Sequence, residues 1–253
     1  MRGEYRMNIK GRTAFVTGGN TGMGRAIILN LAAHGANVCI GYFDFEEEAF
    51  KLVEEISKTG VNAKAYKINI ADEQNVIGVM QEVNKDFGEL CALVNCAGMT
   101  KVIPHQDLYA MTSELWDKIY AVNVKGTFFC CREAKPLLDK QGGCIVNIAS
   151  TAGLNGKGSC IAYACSKAAE INMTRSLARV FAPAVRVVAV APGLVQTNFT
   201  KAMEAERFTK LAKETCLERL VTPEEMADVV GSLIYGTDIL TGITIAADGG
   251  RVF

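Results

Sequence analysis

The chain has 253 residues, 49% of them hydrophobic, and its 27 basic side chains balance its 27 acidic ones, for a formal net charge of zero. Length and apolar content suffice for one well-buried core, so a single domain over residues 1–253 is expected. The balanced charge offers no basic excess for nucleic acid or an anionic membrane surface, which leaves a small molecule as the expected partner.

Thr13 to Thr17 reads as a short buried strand. It runs at once into Gly18-Gly-Asn-Thr-Gly22-Met-Gly24 and then a helical stripe of Ile27, Ile28, Leu31 and Ala32 that closes at Gly35. Strand, glycine loop and helix is the order a phosphate site needs, because glycines let the backbone approach a pyrophosphate and the helix start offers free N–H groups. A P-loop is set aside, since Arg25-Ala26 stands where that motif needs Lys and then Ser or Thr. A second strand follows at 37–42, a helix at 46–59, a third strand at 63–68, a helix at 72–87 and a fourth strand at 91–95. Strands alternating with helices at this spacing predict right-handed crossovers and a doubly wound parallel sheet of about seven strands, with ligands at the carboxyl ends of the strands.

In the second half, Ser113 is expected to cap a long helix carrying Trp116, Ile119, Asn123 and Phe128. A fifth buried strand over 144–149 delivers Ser150 at its carboxyl end. Tyr163 is expected to open a helix reaching about Phe181, and a sixth strand over 185–191 ends at Pro192-Gly193. The stretch 198–220, mixed polar and apolar, reads as a helical excursion placed to serve as a substrate lid. Thr222-Pro-Glu-Glu225 is a capping box that starts the next helix, and 243–245 is the last strand. The nine cysteines form no C-x-x-C pair and stand beside only two histidines, so neither a disulfide framework nor a metal site is expected. The polar start lacks a signal-peptide apolar run and no later run reaches the length of a membrane span, so a soluble cytoplasmic protein is expected.

The chemistry concentrates in Tyr163-Ala-Cys-Ser-Lys167. A phenol and an ammonium four residues apart share one helix face. Tyrosine has an ordinary pKa of about 10, and a nearby cation stabilises its phenolate and lowers that value. Ser150, thirteen residues earlier, could orient a carbonyl or alcohol oxygen while the phenol gives or takes the proton. No side chain carries a hydride, so such a trio needs a nicotinamide site.

These residues together resemble the short-chain dehydrogenase/reductase family over nearly the whole chain. Thr17-Gly-Gly-Asn-Thr-Gly-Met-Gly24 is similar to its TGxxxGxG loop, and Asn95-Cys-Ala-Gly98 to its NNAG segment, with Cys96 for the second asparagine. Asn123, Ser150, Tyr163 and Lys167 match its catalytic tetrad in type, order and spacing. The resemblance implies interconversion of a secondary alcohol and a ketone by hydride transfer. Tyr163 would be general acid or base, Lys167 would lower its pKa and bond the nicotinamide ribose, and Ser150 would hold the substrate oxygen. Asn123, at a local break in its helix, would keep a water for proton exchange. The cofactor would lie along Gly18, Asn20, Thr21, Gly22, Met23 and Gly24, then Tyr42 and Phe43, Asn69 and Ile70, and Asn95, Ala97 and Gly98. Tyr163, Lys167, Pro192, Gly193, Val195 and Thr197 would complete its site.

Cofactor choice is usually read at the end of the second strand, here Tyr42-Phe43-Asp44. Relatives with Tyr then Arg there commonly use NADP, the arginine pairing with the 2'-phosphate. This chain keeps the tyrosine and lacks the arginine, which leans toward NAD over NADP. A pocket wall of Ala152, Leu154, Asn155, Leu194, Phe199 and Met203 favours a hydrophobic or cyclic substrate such as a hydroxysteroid. The alternatives are a 3-oxoacyl-carrier-protein reductase, for which Arg132, Arg175 and Arg179 could form a docking surface, and a sugar or polyol dehydrogenase. A non-catalytic dinucleotide-binding regulator is the alternative from another class. Family members are usually homodimers or homotetramers.

Overall fold

The computed structural model describes residues 7–196 and 205–251, with side chains from 209 onward in the second stretch. Seven parallel strands form one sheet: β1 (Thr13–Thr17), β2 (Asn37–Tyr42), β3 (Ala63–Lys67), β4 (Ala92–Asn95), β5 (Gly143–Ile148), β6 (Val185–Pro192) and β7 (Thr244–Ala247). Their spatial order is β3-β2-β1-β4-β5-β6-β7, a doubly wound Rossmann-like sheet whose chain direction of travel reverses between β1 and β4. The crevice outside the carboxyl ends of those two strands is where such a sheet receives ligands.

Strand periodicity builds the two core layers. Ala14 and Val16, Ala92 and Val94, and Val146 and Ile148 face one layer, which holds Ile27, Ile28 and Leu31 of α1 (Gly22–Ala33) and Met226 and Val230 of α9 (Pro223–Gly231). The intervening Phe15, Leu93 and Ile145 face the other layer, with Val76 and Val83 of α3 (Glu73–Phe87), Leu137 of α5 (Thr127–Leu138) and Leu177 of α7 (Ile161–Phe181). Each large apolar side chain so buried contributes about 1.5–3 kcal/mol, and a sheet covered on both faces gives the near-continuous apolar strands seen in the sequence. Helix α2 (Glu46–Ser57) is amphipathic, burying Ala49, Leu52 and Ile56 and exposing its acids.

Several boundaries differ from expectation. Thr112, not Ser113, caps α4 (Ser113–Tyr120), its hydroxyl accepting from the Leu115 N–H at 3.2 Å. The expected long helix is three pieces, α4, a π-helical segment at Ala121–Gly126 and α5. Helix α7 starts at Ile161, because the Cys160 thiol accepts from the Tyr163 N–H and extended backbone at Cys160 ends the preceding loop. A short turn of helix, α6 (Ala152–Asn155), follows Ser150. In the expected excursion α8 (Ala205–Lys213) is helical, and Val195 bridges in parallel to Val221 at its base. The capping box at Thr222 forms as expected, Thr222 and Glu225 bonding reciprocally. All nine cysteines are free, and among the described residues no helix is long and apolar enough to cross a membrane.

Candidate active site

The glycine loop leaves β1 and enters α1 with Thr21 in extended backbone at the helix N-cap. No side chain caps this helix start and no acid stands in its first turn, so its N–H groups and positive dipole end are left for an anion. Gly24 is dictated by packing: a Cβ there would sit 2.0 Å from the Gly18 carbonyl oxygen, so any side chain would push the helix off the loop. Thr21 and Gly22 are exposed, while Gly18 and Met23 are half-buried. An open, uncapped, acid-free helix start fits a pyrophosphate, and the loop residues are the ones that would hold it. The Thr17 hydroxyl accepts from the Cys96 and Ala97 N–H groups, both at 3.1 Å, and so locks the ends of β1 and β4 together beneath that site.

Not every residue expected at the cofactor presents its side chain there. Asn20 is buried, its amide donating to the Asp44 and Phe45 carbonyls at 2.8 and 3.1 Å. It thereby holds the β2–α2 turn, where Phe45 takes the left-handed conformation at φ 57°. Tyr42 is also buried and its hydroxyl donates to Glu46 at 3.1 Å; burial first, then the Glu46 carboxylate, raise its pKa. Phe43 and Asp44 are exposed. Asn69 is exposed with its side-chain oxygen accepting from the Ala71 N–H, and Ile70 is buried in the core. Asn95 points into the interior, donating to Asn147 at 2.9 Å and to the Cys131 sulfur at 3.2 Å. Gly193 packs on Asp248, Pro192 pairs with Ala247, and Val195 is buried. Thr197, Phe199 and Met203 lie outside the described residues.

The tetrad residues come from three places in the chain: the π-helical segment, the end of β5, and α7, which carries both Tyr163 and Lys167. Asn123 sits in the π-helical segment, fully buried. Its side-chain oxygen accepts from the Met99 N–H at 2.8 Å, and its amide donates to the Met99 carbonyl at 3.0 Å and to Ser166 at 2.9 Å. Ser166 in turn donates to the Tyr163 carbonyl at 2.8 Å, which joins Asn123 to the start of α7. Ser150 leaves β5 and its hydroxyl accepts from the Ala152 N–H at 3.1 Å. A Cβ at Gly153 would lie 2.6 Å from the Lys167 carbonyl carbon, so glycine there lets α6 rest directly on α7. The Thr151 N–H donates to the Pro192 carbonyl at 3.0 Å, tying the serine loop to the end of β6. Tyr163 is half-buried among Ile103, Trp116 and Cys160.

Lys167 is buried, and its ammonium donates to the Ile148 carbonyl and to the Glu170 carboxylate, each at 2.7 Å. Burial opposes that charge most strongly, but Glu170 and then Tyr163 outweigh it and hold the lysine pKa above its usual value. Asn123 and Lys167 converge, since a Cβ at Gly98 would be 3.6 Å from the Asn123 oxygen and 3.8 Å from the Lys167 nitrogen. Beyond Glu170, Thr174 donates to the Glu170 backbone carbonyl and Asn147 donates to Thr174, both at 2.9 Å. Glu170, Asn147, Ser166 and Thr174 were not singled out by sequence reasoning. The available signal was a polar side chain inside an apolar pattern: Asn147 in a buried strand, and Glu170 one turn after Lys167 on the same helix face. A cavity of about 350 Å³ lies by Val221, Glu225 and Asp248, and no tetrad residue lines it.

A family model described as enoyl-(acyl carrier protein) reductase matches residues 18–251. The chain belongs to the short-chain dehydrogenase/reductase family. It is 36% identical over 242 residues to a 3-oxoacyl-acyl-carrier-protein reductase, FabG, of Staphylococcus aureus, covering 94% of this chain and 97% of the relative. It is 34% identical over 256 residues to the FabG of Thermotoga maritima, covering 97% and 100%. A solved short-chain dehydrogenase/reductase from Serratia marcescens superposes with a TM-score of 0.90 at 29% identity, covering 98% of this chain and 100% of the other. The protein is a nicotinamide-dependent oxidoreductase of the alcohol–ketone type.

Proposed function

We propose that this short-chain reductase converts a 3-oxoacyl thioester, presented on a carrier protein, to the 3-hydroxyacyl thioester. The observation that carries this reading is the similarity to the two FabG reductases over nearly the whole chain, combined with an arrangement in which Ser150 and Lys167 are held by hydrogen bonds and Tyr163 shares α7 with Lys167. It favours the oxoacyl alternative over the hydroxysteroid reading. Leu154 and Asn155, two of the residues expected to wall an apolar pocket, are exposed, which weakens the argument for a closed steroid site. Of the three arginines weighed for docking, Arg132 is bound to Glu73 and Glu133, whereas Arg175 and Arg179 stand exposed one turn apart on α7.

In this reading Tyr163 donates its phenolic proton to the oxygen of the reduced ketone, and Ser150 holds that oxygen in place. Lys167, fixed by Ile148 and Glu170, keeps a positive charge beside the phenol as the proton leaves. Asn123 holds the Met99 backbone and the first turn of α7, and so sets the wall against which these groups work. When bound, the nicotinamide dinucleotide supplies the hydride. NAD is the proposed form. Asp44 and Glu46 to Glu48 crowd the end of β2, Arg25 is engaged by Glu55 at 2.6 Å, and Lys67 by Glu46 at 3.5 Å. A 2'-phosphate would meet acids there. A homodimer or homotetramer, in one domain and in the cytoplasm, completes the proposal.

The test is a comparison of kcat/KM for a 3-oxoacyl thioester on carrier protein, the same acyl group on a small thiol, and a ketosteroid, each with NADH and NADPH. The carrier-bound thioester with NADH should exceed the steroid by about tenfold or more. A steroid preferred over both thioesters would overturn the substrate assignment.

A further inference from the structure

We propose that Glu170 is a positioning residue that shares the Lys167 ammonium with the Tyr163 phenolate, and so sets the pH at which that phenol releases its proton. This rests on Tyr163 and Lys167 working as the acid–base pair. Glu170 is 1% exposed, lies on the same helix face as Lys167, and accepts from it at 2.7 Å. A carboxylate so deep in a core is retained only if a cation and hydrogen bonds satisfy it, and Lys167 is that cation. Burial raises the Glu170 carboxyl and Lys167 offsets part of that rise, while the 2.7 Å contact makes the two an ion pair.

Lys167 therefore has two bonded partners, the Ile148 carbonyl and the Glu170 carboxylate, and Tyr163 stands one turn before it on the same face of α7. The other titratable groups that feel the pair are two thiols, Cys96 in the loop after β4 and Cys131 on α5. Burial raises both, so they carry no charge at neutral pH. The balance at Lys167 is then one cation and one anion. A phenolate forming there makes a second anion on the same ammonium, and the field of Lys167 that favours it is partly cancelled by Glu170. Removing the carboxylate charge while keeping an oxygen acceptor leaves the ammonium uncompensated and favours the phenolate.

The experiment is an ultraviolet absorbance titration of phenolate formation in the full chain. Tyr163 is isolated as the difference between each protein and its Tyr163→Phe counterpart. Relative to the parent, Glu170→Gln should titrate lower by about one pH unit. The acid limb of alcohol oxidation should move the same way. Glu170→Asp, which restores the charge, should titrate close to the parent. If Glu170→Gln does not fold, Glu170→Ser, which removes the charge and keeps a hydroxyl oxygen as acceptor, carries the same expectation. A Tyr163 titration that stays in place or rises in a folded charge-free variant overturns the proposal. So does a Glu170→Asp titration displaced like that of Glu170→Gln, because the change would then follow repacking and not charge. The titration reads the phenol directly and does not depend on turnover, whereas full turnover in Tyr163→Phe would overturn the underlying site assignment alone.

Discussion

The two ends of the crevice are built on opposite plans. At the catalytic end, Asn123, Lys167 and Glu170 are buried and each polar group is paired, so their geometry is held by α7, β5 and the π-helical segment. At the β2 end, Phe43, Asp44, Phe45 and the first-turn acids of α2 are exposed, and the turn is held from below by the buried amide of Asn20. The first plan suits proton transfer, which tolerates little displacement. The second suits selection, because exposed side chains can be exchanged without disturbing the core.

The largest contrast should come from deleting one atom at the catalytic end. Tyr163→Phe is expected to lower kcat by about 10²–10⁴-fold while cofactor affinity stays within a few-fold, measured by steady-state kinetics and dinucleotide titration. Next, the β2 end should respond in preference and not in turnover. Phe43→Arg combined with Asp44→Ala is expected to raise the NADPH/NADH efficiency ratio by about tenfold with kcat on NADH nearly unchanged. An unchanged ratio would show that this turn does not select.

The same contrast should appear in stability. Asn147→Ala removes the centre of a buried chain running from Asn95 through Thr174 to the Glu170 backbone, and is expected to cost about 2 kcal/mol in denaturant unfolding. The smallest effect is expected at a surface cluster outside the crevice, where Asp86 accepts from Lys64 at 2.6 Å and Tyr66 at 2.7 Å. Those bonds hold its carboxyl below the usual range. A depressed folded-state pKa gives stability that is present above the unfolded value of about 3.9 and is lost as pH falls through the folded one. The melting difference between the parent and Asp86→Asn, worth under about 1 kcal/mol, should thus be present at neutral pH and vanish in acid.

What the sequence makes legible follows the same division. Strand and helix positions were readable because β1, β4 and β5 are mostly apolar runs and α2 shows a clear acid face. Tyr163 and Lys167 were legible through their resemblance, with Asn123 and Ser150, to the family's tetrad, since a tyrosine and a lysine four residues apart are by themselves common on helices. Glu170 was not, since a carboxylate in a helix is ordinarily solvated and only tertiary packing of α7 on β5 buries it. Tyr42 was expected at the cofactor, yet the structure turns its hydroxyl to Glu46, a contact four residues away that depends on the left-handed turn at Phe45. The cap of α4 shifted by one residue, because Thr112 and Ser113 have similar capping ability, and the start of α7 by two, from Tyr163 to Ile161, because extended backbone at Cys160 sets it.

The expected hydride transfer depends on a nicotinamide dinucleotide binding at the uncapped start of α1 and along this crevice. Thermal melting of the purified protein with NADH and, separately, with NADPH tests it most directly. At about 100 times its dissociation constant the bound dinucleotide should stabilise the fold by about 2.7 kcal/mol, with NADH giving the larger rise in Tm. A folded protein whose Tm moves with neither would contradict the account, because the proton-transfer groups would then have no hydride source.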